Sequence, residues 1–104
     1  MQMLTDELRE KLPPLYATEG VSDPTVICKF FLPATGWTWY AIEFDGEDVF
    51  FGYVVGQSPE LGYFSLHELE EVRGPVDLTV ERDHFTAMPL SKVRKMHEQQ
   101  RRVA

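Results

Sequence analysis

Hydrophobic residues are concentrated in three runs in the first half of the chain. These runs cover residues 25–32, 37–44 and 49–55, and they are rich in β-branched and aromatic side chains, which favours extended structure. Prolines, glycines and an Asp-Gly pair separate the runs, as expected of turns. The pattern therefore predicts three successive strands, of which the last two form an antiparallel hairpin.

Helical signals lie at both ends of the chain and once in its second half. Residues 4–12 carry leucines one turn apart, which makes an apolar stripe. Ser65 and Glu68 form an S-x-x-E capping box, a specific signal for the start of a helix. Leu90 and Val93 begin the apolar stripe of a last helix that starts near a proline.

Two shorter segments complete the predicted sheet. Residues 62–64 form a short strand before the capping box, and residues 77–82 alternate apolar and charged side chains as an edge strand does. We expect an α+β fold, with a twisted antiparallel sheet of four to five strands and two to three helices in the order α-β-β-β-β-α-β-α. Residues 1–90 then form a single α+β domain, and residues 91–104 form a basic C-terminal helix or a frayed tail.

Neither face of the predicted hairpin is polar. A two-residue turn pairs Phe44 with Glu47 and a four-residue loop pairs Phe44 with Val49, and both registers give the same two faces. One face carries Tyr40, Ile42, Phe44, Val49, Phe51, Tyr53 and Val55, and the other carries Trp37, Trp39, Ala41, Glu43, Phe50, Gly52 and Val54. Since a half-solvated sheet alternates apolar with polar residues, each face needs a cover. Helices from both chain ends suit one face, and either core packing or a partner suits the other.

Charge divides the chain into an acidic body and a basic end. Residues 1–90 hold 16 acidic and 5 basic side chains, whereas residues 91–104 hold 5 basic side chains and Glu98. Nucleic acid is repelled by an acidic body, so we expect direct contact with nucleic acid only through the basic C-terminal segment. The single cysteine excludes an internal disulfide and favours a cytoplasmic setting, and no apolar run approaches the roughly 20 residues that cross a membrane.

Four segments of the chain carry a family resemblance: LTDELREKLPPLYATE, VICKFFLP, GWTWYAIEFDGEDVFFGYVVG and ELGYFSLHELEEVRGP. In these segments, which cover about residues 4 to 90, the chain closely resembles a small bacterial family, domain of unknown function 2958. The resemblance implies single-domain proteins carried on plasmids and integrative elements, without an established activity. It therefore brings no catalytic residue to this chain.

No motif in the sequence indicates catalysis, a metal or a cofactor. His67 and Glu71 share a helix face, but the second histidine of a zinc-binding helix is missing, so a solvated helix face is the favoured interpretation. Glu43, Asp45, Glu47 and Asp48 cluster at the hairpin tip, where an Asp-Gly pair is ordinary turn chemistry. We expect neither a bound metal nor a cofactor.

The leading hypothesis is a non-enzymatic protein-binding protein of a mobile element. Its hairpin-tip carboxylates would take the place of phosphates in the basic nucleic-acid groove of a host restriction or CRISPR protein. The predicted partner-binding residues are Trp37, Trp39, Glu43, Asp45, Glu47, Asp48 and Phe50.

An alternative hypothesis is a small ligand-binding protein or enzyme. Its pocket would combine Trp37, Trp39 and Phe50 with the carboxylate of Glu43 on one face of the sheet. A homodimer that seals this aromatic face is a third hypothesis.

Overall fold

Within the part of the chain that the structure describes, seven strands form a five-stranded sheet and a separate strand pair. The structure, a computed structural model, describes residues 3–103, with the side chains of residues 3–100. The strands are β1 (Thr25–Val26), β2 (Cys28–Phe31), β3 (Thr38–Phe44), β4 (Val49–Val55), β5 (Pro59–Ser65), β6 (Glu81–Arg82) and β7 (Met88–Pro89). The main sheet is antiparallel with the order β5-β4-β3-β2-β6, and β1 pairs with β7 beside it.

The described residues also form three α-helices, which pack around the sheet. They are α1 (Asp6–Lys11), α2 (Leu66–Glu71) and α3 (Leu90–Val103), and a 3₁₀ turn covers Pro75–Asp77. The predicted α+β fold with an antiparallel sheet is confirmed. In the described residues 3–103, every helix is too short or too polar to span a membrane.

The sheet separates two hydrophobic cores. On one face, leucines beside and within α1 and α2 cover an aromatic stack of Phe44, Phe50 and Phe64, whose ring centroids are 4.5 and 5.0 Å apart. On the other face, Leu90 and Val93 of α3 pack against Tyr40, Ile42 and Tyr53. The helices at the two chain ends thus cover opposite faces. The expectation that they share one face was wrong, because α1 and α3 carry separate apolar stripes to separate cores.

A β-bulge at Ile42 reverses the predicted faces of two residues. The Cα partners are Ala41 with Gly52, then Glu43 with Phe51 and Phe44 with Phe50. One extra residue in β3 changes the side-chain parity from that point onward. The predicted faces of Glu43 and Phe44 were therefore wrong: Phe44 lies in the core under α1 and α2, and Glu43 lies on the α3 face.

Three predicted strands have different bounds in the structure. The run 25–32 is interrupted at Ile27: its N–H still donates to the Ala41 carbonyl of β3 at 2.9 Å, but the preceding β1 pairs with β7. The strand predicted at 62–64 is seven residues long. The strand predicted at 77–82 is reduced to its last two residues, because Asp77 belongs to the 3₁₀ turn and Thr79 pairs with Arg73 instead of with the main sheet.

Candidate functional site

A cavity of about 670 Å³ opens on the α3 face of the sheet, between the loop 16–24, the strands β4 and β5, and α3. Its walls include Tyr16, Glu43, Phe51, Leu61, Tyr63 and Arg94. We call this cavity the tyrosine groove. Its volume lies within the roughly 300–1,000 Å³ that ligand-binding cavities occupy.

Large apolar side chains line the tyrosine groove while they remain in contact with solvent. Tyr16 is 63% exposed, Val21 51%, Leu61 44% and Tyr63 56%. Contiguous exposed apolar groups are uncommon on proteins that act alone, and they mark binding surfaces. The groove is therefore the main candidate contact site on this face.

Glu43 builds one wall of the groove from inside the protein. Glu43 is only 3% exposed. Its carboxylate accepts hydrogen bonds from the backbone N–H groups of Tyr16 at 2.8 Å and Thr18 at 2.9 Å, and from the Thr18 hydroxyl. Burial raises the pKa of Glu43, but these hydrogen bonds together outweigh burial and lower the pKa below its ordinary value. An ionised carboxylate on β3 thus ties the loop 16–24 to the sheet.

Tyr16 occupies a strained backbone conformation within this loop. Its φ of 71° lies in the left-handed region, which is rare for a bulky residue and costs about 1–3 kcal/mol. The hydrogen bonds to Glu43 hold the backbone in this conformation on both sides of Ala17. The result is a tyrosine ring that projects at the mouth of the groove.

The loop is also held at its other end, by α3. The Asp23 carboxylate accepts hydrogen bonds from the Ser91 N–H at 2.9 Å and the Ser91 hydroxyl at 2.7 Å. These bonds lower the pKa of Asp23. Arg94, one turn further along α3, lies over the Tyr53 ring with its guanidinium carbon 5.1 Å from the ring centroid. Both ends of the loop are therefore fixed to the fold.

Like Glu43, two of the other three predicted tip carboxylates are engaged within the protein. One oxygen of Asp45 accepts the N–H groups of Glu47, Asp48 and Val49 at 2.8, 2.7 and 3.0 Å. The backbone N–H groups of Asp48 and Glu47 are the main reason that the pKa of Asp45 is lowered. Asp45 therefore shapes the turn, and Glu47 remains as an exposed carboxylate.

Asp48 connects the same turn to α2. Its carboxylate accepts the His67 N–H at 2.8 Å and the Ser65 hydroxyl at 2.7 Å, and these bonds lower its pKa. Ser65 is the N-cap of α2, and its hydroxyl accepts the Glu68 N–H at 3.2 Å. The predicted helix start at Ser65 is confirmed, and the structure adds a carboxylate from the neighbouring hairpin.

Three acidic segments meet at this end of the sheet, and we call them together the acidic end: residues 6–11, 45–48 and 66–71. Arg9 of α1 donates to the Gly46 carbonyl at 3.2 Å, and Asp48 joins the turn to α2. The three segments hold nine carboxylates against Arg9 and Lys11, a formal charge of −7. Folding thus brings together charge that is dispersed along the sequence.

Comparison with protein families identifies the chain. A model for proteins of unknown function, DUF2958, matches residues 3–104. The chain belongs to this family. The resemblance inferred from the sequence segments is therefore confirmed. No curated protein and no solved structure matches this DUF2958 protein.

The pocket predicted from aromatic residues does not form in this DUF2958 protein. Phe50 is fully buried and Trp39 is 8% exposed, and both belong to the core under α1 and α2. Trp37 is partly exposed and stacks on Trp39 at a centroid distance of 5.8 Å. Because Glu43 lies on the other face, these four residues do not share a cavity.

Sequence reasoning missed most of the tyrosine groove. Leu61 and Tyr63 alternate with Glu60 and Gly62 along β5, and this period of two was a usable signal for a shared face. The loop around Tyr16 carries no such signal, since its position depends on a carboxylate 27 residues away.

Other candidate chemistry in this DUF2958 protein is structural or exposed. His67 and Glu71 form the predicted pair at 3.2 Å on an exposed helix face, and in the described residues no three metal-binding side chains converge. Burial raises the pKa of Cys28 to about 12, which disfavours the reactive thiolate. Two surfaces therefore remain as candidate contact sites, the acidic end and the tyrosine groove.

Proposed function

We propose that this DUF2958 chain is a non-enzymatic protein-binding protein whose acidic end occupies a basic surface of a partner. The observation that carries this proposal is the formal charge of −7 within three adjoining segments. Concentrated charge of one sign attracts a complementary surface, accelerates association and selects against partners of the same sign.

The partner class that best fits this charge is a protein with a basic nucleic-acid-binding surface, such as a restriction or CRISPR protein of a bacterial host. The exposed carboxylates of the acidic end take the place of phosphates there. Asp45 and Asp48 hold the turn and the start of α2, so the contacts fall to Glu47 and to the glutamates of α1 and α2. In this proposal the protein acts in the cytoplasm for the mobile element that carries it.

A competition experiment tests the proposal. A panel of purified restriction and CRISPR nucleases is bound to DNA, and the full chain is added while the DNA-bound fraction is measured by fluorescence anisotropy. We expect the chain to displace DNA from at least one nuclease, and the displacement to weaken with rising salt because it is electrostatic.

Two charge-reversal variants separate local from total charge. Glu47→Lys/Glu70→Lys changes the acidic end, and Glu60→Lys/Glu98→Lys changes the net charge equally at exposed positions outside it. We expect only the first variant to lose competition with DNA. Equal behaviour of the two variants, or no displacement from any nuclease, would contradict the proposal.

A further inference from the structure

Tyr16 contributes its ring to the tyrosine groove while its backbone adopts a strained, left-handed conformation. The residue adopts a φ of 71°, yet its side chain is largely exposed and belongs to neither hydrophobic core. Buried Glu43 fixes this conformation with hydrogen bonds to the loop. Backbone strain that does not serve core packing is typical of binding and catalytic sites. The placement of this ring therefore points to contact with another molecule.

Aromatic rings and carboxylates surround the same point of the groove. Tyr16 and Tyr63 both line the groove, and the Phe51 ring lies 5.2 Å from the Tyr63 ring. The carboxylates of Glu43 and Glu19 are close enough to contribute to the raised pKa of Tyr63, after the larger effect of desolvation and the effect of Tyr16. Aromatic faces beside negative charge form an environment that attracts cations.

The charged groups of the groove are unbalanced in favour of a cation. Its lining contains Glu19, Asp23, Glu43 and Arg94. Asp23 and Glu43 are engaged by Ser91 and by the loop, and Arg94 is placed over the Tyr53 ring. Glu19 is exposed and available for an ion pair.

We propose that the tyrosine groove binds a guanidinium group, presented by an arginine side chain of the partner protein. A planar guanidinium stacks on aromatic rings better than a lysine ammonium group does. The protein uses the same contact internally, since Arg9 lies 5.4 Å from the Phe44 ring centroid. This inference rests on the proposed function, because a basic partner supplies the arginine.

The position of the groove favours a partner's side chain over a free small molecule. Tyr16 follows α1 of the acidic end after four residues, and the Phe44 N–H donates to the Pro13 carbonyl at 2.9 Å in the connecting segment. Glu43, which lines the groove, is also only two residues from Asp45 of the hairpin tip. The groove therefore lies on the face opposite α1 and α2 but at the same end of β3 as the tip. In this proposal a basic partner that contacts the tip extends around this end of the sheet to the groove.

An NMR titration tests the inference without the partner. The ¹⁵N-labelled full chain is titrated with N-acetyl-arginine methylamide, and in parallel with N-acetyl-citrulline methylamide, which has a similar shape without the charge. We expect saturable shifts of the Tyr16, Thr18, Leu61 and Tyr63 amides with the arginine compound and none with the citrulline compound. The lysine analogue should cause the same shifts at higher concentration.

Side-chain variants locate the contact. Tyr63→Ala should weaken binding of the arginine compound by about two- to fivefold, the effect of one exposed cation–ring contact, and Tyr63→Phe should retain it. Met96→Ala removes an exposed apolar side chain of α3 that does not line the groove and should leave binding unchanged.

Three outcomes overturn the inference: equal shifts with citrulline, shifts confined to the acidic end, or undiminished binding by Tyr63→Ala.

Failure of this inference can be told apart from failure of the proposed function. Glu47→Lys/Glu70→Lys should lose competition with DNA but still bind the arginine compound in the groove. If the chain displaces DNA but never binds the arginine compound, only the inference fails. If the compound binds but no nuclease releases DNA, only the proposed function fails.

Discussion

The two faces of the sheet differ in how completely they are covered. The face under α1 and α2 is closed by a continuous aromatic stack that includes Phe44, Phe50 and Phe64. The opposite face is closed where α3 and the β1–β7 pair pack on it, and the tyrosine groove remains open beside them.

This difference shows that apolar residues on both faces of a strand do not serve one purpose. On the closed face they provide stability through close packing. On the α3 face they divide between a smaller core and an open surface, where Tyr16 and Tyr63 contact solvent. Substitutions on the two faces should therefore separate folding from binding.

Phe50 and Phe51 give the largest expected contrast. Phe50→Ala removes a fully buried ring with three aromatic neighbours and should lower the free energy of unfolding by about 3–5 kcal/mol. Phe51→Ala, on the groove face and only half-buried, should lower it by about 1–2 kcal/mol. Urea unfolding monitored by circular dichroism measures both. Equal losses would mean that the faces contribute equally to stability.

Two directly paired glycines sharpen the comparison between the centre and the edge of the sheet. A Cβ on Gly52 of β4 would lie 1.8 Å from the Tyr40 carbonyl oxygen, whereas a Cβ on Gly62 of β5 would meet nothing within 4 Å. Gly52→Ala should cost about 3 kcal/mol because the backbone must move. Gly62→Ala should stay within about 1 kcal/mol of the wild type. Thermal unfolding of the two variants provides the check, and a similar loss in both would show that the centre is not more crowded.

Glu43→Gln should loosen the groove while the aromatic core stays intact. The amide cannot accept the three hydrogen bonds as an ionised carboxylate does, so we expect a loss of about 1–2 kcal/mol in the free energy of unfolding. Amide hydrogen exchange should accelerate at Tyr16 and Thr18. Glu19→Gln, at an exposed carboxylate, is the matched control and should change stability by less than about 0.5 kcal/mol. Unchanged exchange at Tyr16 would argue against Glu43 as the anchor of the loop.

The loss of stability in acid should depend in part on the Glu43 carboxylate. Of the effects predicted here, the change that Glu43→Gln makes to this pH dependence should be the smallest. Hydrogen bonds lower the folded-state pKa values of Glu43, Asp23, Asp45 and Asp48 below their ordinary values, so in acid the unfolded chain binds more protons than the folded protein. The resulting stability is present above the unfolded pKa values of about 4 and is lost as the pH falls through the folded values. Unfolding measured from pH 7 to 3 should be flat at first and then decline. The decline should be shallower for Glu43→Gln, and identical curves would contradict this role.

Local signals in the sequence predicted much of the fold. Ser65 and Glu68 predicted the start of α2, and Ser65 is the N-cap of this helix in the structure. The β-branched and aromatic residues of 37–44 and 49–55, separated by an Asp-Gly pair, predicted the hairpin, which the structure contains as β3 and β4. These features depend on neighbouring residues, so a linear pattern contains them.

The faces and the groove were decided by contacts between distant residues. Phe44 donates its N–H to Pro13 and turns into the core under α1, beyond a bulge that alternation does not reveal. Tyr16 reaches the groove because Glu43, displaced to the α3 face by that bulge, accepts its N–H. The sequence by itself determined the strands, the capped helix and the acidic composition. Only the tertiary structure decided which side chains share a face, because one inserted residue reverses the parity of a strand and long-range hydrogen bonds select where it occurs.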